Sequence, residues 1–157
     1  RFYMSKITIF GGSGFIGRYV VRQMAKQGWE VRIACRDLEM ANLLKTSGNI
    51  GQIIPWSCDI TQPDQVAAAV RGTDVVINLV GALYESGRYS FASLHQVGAK
   101  TIAEASKAAG VSKLVHVSAL GANSKSSSIY AQTKAAGEKA VKIVFSNLGG
   151  LLKKTGI

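Results

Sequence analysis

Proline is scarce in this chain, at two of 157 residues, and cysteine is no commoner. Low proline excludes collagen-like and proline-rich disordered classes. The two cysteines, Cys35 and Cys58, lack metal-ligand spacing and cannot build a disulfide framework, which fits a reducing compartment. Long apolar runs are missing as well. The longest, around Val75–Leu83, is interrupted by Asn78 and falls short of the roughly 20 residues that a bilayer-crossing helix needs. No apolar signal-peptide core accompanies Met4, so nothing argues for secretion. Acidic residues are few, nine against nineteen Lys and Arg, giving a net charge of +10. The imbalance lies late in the chain: residues 1–99 carry ten basic and seven acidic side chains, residues 100–157 nine and two. Such a surface favours anionic partners. Nucleic acid is disfavoured among them, because no aromatic-and-basic sheet motif, helix-turn-helix or zinc module occurs.

What is abundant is apolar residues, 47% of the chain, and glycine, at 17. That suffices for one domain with a real core and is too little for two. Lys6–Phe10 (KITIF) reads as a strand, followed by a helix over Phe15–Lys26 with an apolar stripe at Phe15, Ile16, Tyr19, Val20 and Met24. Further strands are expected at Glu30–Cys35, Gln52–Pro55, Asp74–Leu79 and Lys113–Val117. Helices are expected at Leu38–Lys45, Pro63–Arg71 (with Thr61 as N-cap), Phe91–Ala109 (closed by Gly110) and Ser128–Val144. The last packs through Ala135, Ala136, Ala140 and Val141. Strand and helix thus alternate five times, and strands such as DVVINL suit a parallel sheet covered on both faces. The fold class is a doubly wound, Rossmann-type α/β sheet over residues 1–145. Residues 146–157, apolar and basic around a Gly-Gly pair, are expected to form an irregular tail.

Gly11-Gly12-Ser13-Gly14-Phe15-Ile16-Gly17 falls between the first strand and the first helix, where each glycine of a dinucleotide loop has a task. Gly11 permits the tight turn, Gly14 admits the pyrophosphate to the backbone, and Gly17 lets helix and strand pack closely. Exposed amides at the helix N-terminus then hold the anion. A site for NAD places an acid at the end of the second strand, to hold the ribose hydroxyls. Here Cys35 and Arg36 stand there, and Arg36 can fork onto a ribose 2′-phosphate that a carboxylate would repel. Arg18 offers a second positive charge, whereas Asp37 could rescue some NAD binding. The balance favours NADP(H) over NAD(H). Asp59 and Ile60 follow the third strand, where a side chain can meet the adenine ring. Leu79, Val80 and Gly81 end the fourth, where a glycine lets the cofactor ribose lie against the backbone.

These residues resemble the extended and atypical branches of the short-chain dehydrogenase/reductase superfamily. The loop GGSGFIG, Asp59-Ile60, the NLVG run and Tyr130-Ala131-Gln132-Thr133-Lys134 fit that pattern in order and spacing over about residues 6–142. In active members the tyrosine of YxxxK is the general acid/base, and the lysine lowers its pKa and holds the nicotinamide ribose. The resemblance therefore makes Tyr130 and Lys134 the catalytic candidates and adds both to the cofactor contacts, with Ser118. A narrower run, GRYVV, VVINLVG and HVSALGANSKSSSIYAQTKAAGEKAV, is similar to the nucleotide-binding accessory subunit family of respiratory complex I. That family holds NADPH remote from the electron-transfer chain. The resemblance implies other complex I subunits as partners. It also implies a place at the matrix side of the mitochondrial inner membrane, or the cytoplasmic face of a bacterial one, without a transmembrane segment of its own.

Two departures bear on activity. Active extended members carry a Ser or Thr one residue after the first Ser that follows the fifth strand; here Ala119 follows Ser118. Members also continue past the YxxxK helix into a sixth strand and a substrate region, and that half is not recognisable here. The expectation is a non-catalytic NADPH-binding accessory subunit with no metal. Two alternatives stay open: an active reductase, epimerase or dehydratase on a small carbonyl or sugar, and an NADP-sensing regulator. His95 and His116 are expected to be packing or surface residues.

Overall fold

The computed structural model describes residues 4–81, 86, 87 and 89–145, and the backbone of 151–155. Six strands form one parallel sheet: β1 (Lys6–Phe10), β2 (Glu30–Cys35), β3 (Ile53–Ser57), β4 (Val75–Asn78), β5 (Lys113–Ala119) and β6 (Leu151–Thr155). Their spatial order is β3-β2-β1-β4-β5-β6. The chain winds outward from β1 to β3 and then returns past β1 to β4, so a crevice opens where the direction reverses, at the carboxyl ends of β1 and β4. The helices are α1 (Phe15–Lys26), α2 (Leu38–Leu43), α3 (Pro63–Val70), α4 (Ala99–Ala108) and α5 (Ile129–Phe145), and a π-helical segment, Ala92–Gly98, leads into α4. Among the described residues no helix is long and apolar enough to cross a membrane.

Side-chain alternation in the strands divides the core in two. Ile7, Ile9, Val31 and Ile33 pack with Val21, Ala25 and Leu44 under α1 and the turn after α2. Phe10, Val76 and Leu114 pack with Val66, Val70, Ile102 and Phe145 under α3, α4 and α5. Each large side chain so buried contributes roughly 1.5–3 kcal/mol. Thr8 is the polar exception in β1, and its hydroxyl is satisfied by donating to Ala69 O (2.9 Å) while meeting Thr73 Oγ1 (2.8 Å).

Several expectations are corrected. The tail is not irregular throughout: Leu151–Thr155 adds a sixth strand, pairing Val115 with Leu151 and Ala119 with Thr155, so β5 is internal. Its two lysines, Lys153 and Lys154, break the apolar run by which a buried strand is recognised. In α1 the buried residues are Gly17, Val21 and Ala25, while Phe15 and Tyr19 stand exposed. In α5 the buried face is Ala131, Lys134, Gly137, Glu138, Val141 and Phe145; of the residues assigned to packing, Val141 alone is buried. Thr61 does not cap α3. Gln62 occupies that place, and the Thr61 hydroxyl bonds Asp59 Oδ1 instead.

Two glycines permit close approach. A Cβ on Gly137 would fall on the carbonyl oxygen of His95, and one on Gly98 would strike Ile60 Cδ1. The π-helical segment therefore lies tight against both α5 and the end of β3, which brings His95 into the protein beneath the crevice.

Candidate functional site

The glycine loop is built by hydrogen bonds as well as by space. Gly11 adopts φ 75°, its N–H donates to Ala34 O (3.2 Å), and its own carbonyl accepts from Gly14 N–H (3.1 Å). The loop is thereby stapled to the end of β2. A Cβ on Gly17 would overlap the Gly11 carbonyl oxygen and the Gly12 backbone, so only glycine fits there. A Cβ on Gly14 would meet nothing but Gly11 O at 3.3 Å, and one on Gly81 nothing nearer than Lys134 Nζ at 4.0 Å. Side chains at Gly14 and Gly81 would project into the crevice. The first turn of α1 contains no acidic residue that would repel an anion.

This crevice has a volume of about 1100 Å³. It is lined by every residue singled out from the sequence except Arg18: Gly11 to Gly17 bar Gly12, then Arg36, Asp59, Ile60, Leu79, Val80, Gly81, Ser118, Tyr130 and Lys134. Arg18 lies beside it, its guanidinium over the rings of Phe15 (5.1 Å) and Tyr19 (5.6 Å). Ala119, which carries no hydroxyl, lines the crevice next to Ser118. Cys35 and Asp37, weighed from the sequence beside Arg36, line it too, as do residues that no motif indicated: Cys58, Tyr89, Leu94 and Leu120. Burial, with Asp59 and Cys35 nearby, pushes the Cys58 thiol up to about 12, so it is an inert wall rather than a nucleophile.

At the far end of the crevice, Lys134 is buried, and its ammonium donates to Val117 O at 3.2 Å. Burial lowers its pKa, an effect that Glu138, one helical turn on, opposes. Tyr130 is held by two rings, one in the π-helical segment and one on the residue before it. Phe91 and His95 stack on one another (centroids 5.5 Å, planes 10° apart), and both meet Tyr130 edge-on, at 5.7 and 5.1 Å. His95 Nδ1 lies 3.1 Å from Thr133 Oγ1. His116, on β5, pairs with Asn78 Nδ2 at 3.2 Å through its Nδ1. Desolvation, reinforced by the Lys134 charge, pushes both imidazoles down to about 4, so both are neutral near pH 7. The arrangement offers an anion-binding loop at one end, a cation at the second-strand terminus, and a tyrosine–lysine pair at the other end. Among the described residues no group of His, Cys, Asp and Glu side chains could hold a metal ion.

A model of the NAD(P)H-binding family matches residues 11–149. The chain belongs to this family. The match begins at the first glycine of the loop and runs through α5, so every residue that lines the crevice falls within it. Among curated relatives, subunit 9 of the NADH dehydrogenase [ubiquinone] 1 alpha subcomplex, mitochondrial, from Rattus norvegicus is 40% identical over 139 residues, which cover 88% of this chain and 37% of that protein. The mitochondrial NADH-ubiquinone oxidoreductase 40 kDa subunit of Neurospora crassa is 37% identical over 138 residues, with the same coverage. The chain thus spans under two-fifths of the length of these relatives. Among solved structures, Pen from Bacillus thuringiensis superposes with a TM-score of 0.84 over 99% of this chain and 52% of its own, at 20% identity, a likeness of fold.

Proposed function

We propose that this NAD(P)H-binding unit serves as an NADPH-holding part of an accessory subunit of respiratory complex I, binding its cofactor without turning it over. The observation that supports the reading is a crevice lined by the glycine loop, Arg36, Tyr130 and Lys134 in a chain whose curated relatives are named as subunits of that complex. NADP(H) is favoured over NAD(H) because Arg36, exposed at the crevice, stands where an acid would hold the ribose hydroxyls. Gly14 admits the pyrophosphate to the amides opening α1, and Lys134 reaches the nicotinamide ribose. Bound NADPH would supply a hydride. Catalysis would further require a hydroxyl beside Tyr130 to hold a substrate oxygen within about 3 Å of the acid, and Ala119 lacks one. Partners are the neighbouring complex I subunits, at the matrix face of the mitochondrial inner membrane.

A second reading, an active carbonyl reductase, is favoured by the presence of Tyr130 and Lys134 on one face of α5 in the crevice. One comparison separates the two. In complex I carrying Tyr130→Phe, which keeps the ring and removes the acid, the first reading expects NADPH content and electron transfer near wild type, with both reduced by Lys134→Ala. A purified chain that oxidises NADPH with a carbonyl compound and loses that activity in Tyr130→Phe would establish the enzyme instead. Cofactor choice is tested by calorimetry: Arg36→Ala narrows the NADPH-over-NADH gap by about 1–3 kcal/mol, the scale of a hydrogen bond to a charged group.

A further inference from the structure

Tyr89 belongs to no motif, yet it joins two groups at the adenine end of the crevice. It closes a tight turn in which Ser86 and Tyr89 exchange backbone hydrogen bonds (3.2 and 2.9 Å). The Arg36 guanidinium lies over its ring, 4.0 Å from the centroid. Its hydroxyl donates to Asp59 Oδ2 at 3.0 Å, while Asp59 Oδ1 accepts from the Thr61 N–H (3.0 Å) and hydroxyl (2.7 Å). All three residues border a smaller cavity of about 410 Å³, walled also by Gln62 and Gln65.

A guanidinium close to a carboxylate ordinarily forks onto it, and a phosphate must then compete with that internal partner. Here that partner is engaged elsewhere: Asp59 Oδ2 accepts from Tyr89 and Oδ1 twice from Thr61, and Arg36 makes no ion pair or hydrogen bond among the described residues. A cation held over an aromatic ring is positioned without engaging its N–H donors. We propose that Tyr89 is a specificity-determining residue of this site, stacking Arg36 and engaging Asp59 so that the guanidinium is kept for a dianionic phosphate monoester on the ribose 2′-oxygen. The inference rests on the NADP(H) reading above and adds to it the residue that makes Arg36 effective.

The test measures calorimetric affinities of the full chain for adenosine 2′,5′-bisphosphate and for 5′-AMP, which differ only in the 2′-phosphate. Tyr89→Leu removes the ring and should lower the preference for the bisphosphate about three- to fivefold, the scale of one exposed cation–π contact, with 5′-AMP affinity unchanged. Tyr89→Phe keeps the ring and should retain more of the preference than Tyr89→Leu. Equal weakening of both probes in Tyr89→Leu would show a packing role only and overturn the proposal. So would an undiminished preference in Tyr89→Leu or equal behaviour of the two Tyr89 variants. The NADP(H) reading fails by a different result, an Arg36→Ala variant whose preference matches wild type.

Discussion

Acid should unfold this protein through its two buried histidines. Asn78 Oδ1 accepts the Val80 N–H at 3.0 Å, so its amide nitrogen must face His116 Nδ1, which can only accept. The His116 proton therefore sits on Nε2, an atom with no hydrogen-bond partner among the described residues. Protonating Nδ1 would set two donors against each other in a site 2% exposed to solvent. His95 is 1% exposed, and the Lys134 charge opposes a second positive charge there. Both imidazoles are pushed down to about 4 in the folded protein, against about 6.5 in an unfolded chain. Above pH 6.5 neither state binds the proton and the histidines contribute no pH dependence. Between pH 6.5 and 4 the unfolded chain takes up protons that the folded one refuses, so stability falls with pH. At about 1.4 kcal/mol per unit, each histidine costs about 3 kcal/mol by pH 4, and the pair reaches the scale of a whole domain's stability. Urea unfolding at pH 8, 6.5, 5 and 4 measures this directly. His116→Gln should lose about half of the decline, a comparison in which the carboxylate contribution cancels. Parallel pH curves for wild type and His116→Gln, or an imidazole NMR titration midpoint near 6.5, would refute the reasoning.

The two loop glycines should behave differently when a methyl group is added. Gly17→Ala forces backbone apart and should cost about 1–3 kcal/mol in thermal or urea unfolding. Gly14→Ala should leave the melting point of the cofactor-free chain within a degree or two while weakening NADPH binding measured by calorimetry. Glu138→Gln removes the charge that offsets the burial of Lys134, so the lysine pKa drops further. NADPH retention, followed across a rising pH series, should then begin to fail at a lower pH than in wild type. Saturating NADPH should raise the melting point by mass action, and Lys134→Ala should diminish that rise.

The doubly wound alternation of the first five strands with their helices was legible because glycine loop, β-branched runs and helix periods agree with one another along residues 6–145. Where the reading failed, a second use of apolar residues competed with packing. In α1 the exposed rings of Phe15 and Tyr19 lie under Arg18, and Phe15 lines the crevice, while the smaller Gly17, Val21 and Ala25 form the buried face. In α5 the buried face includes Lys134 and Glu138, charges that a hydrophobic pattern assigns to solvent. Tyr89 was illegible for another reason: its partners Arg36 and Asp59 come from two other strand ends, and no spacing along the chain records that meeting.

The wide turn ahead of α4 makes the tyrosine's setting depend on residue count rather than residue type. Phe91 and His95 reach Tyr130 together because the segment Ala92–Gly98 winds more slowly than the helix it enters. Each residue of a regular α-helix turns the chain by about 100°. Deleting one residue between Ala92 and His95 while α4 stays seated would swing Phe91 off Tyr130 and leave a gap at the crevice floor. A length change there, with no charged or polar group altered, would loosen the ring that faces the nicotinamide end.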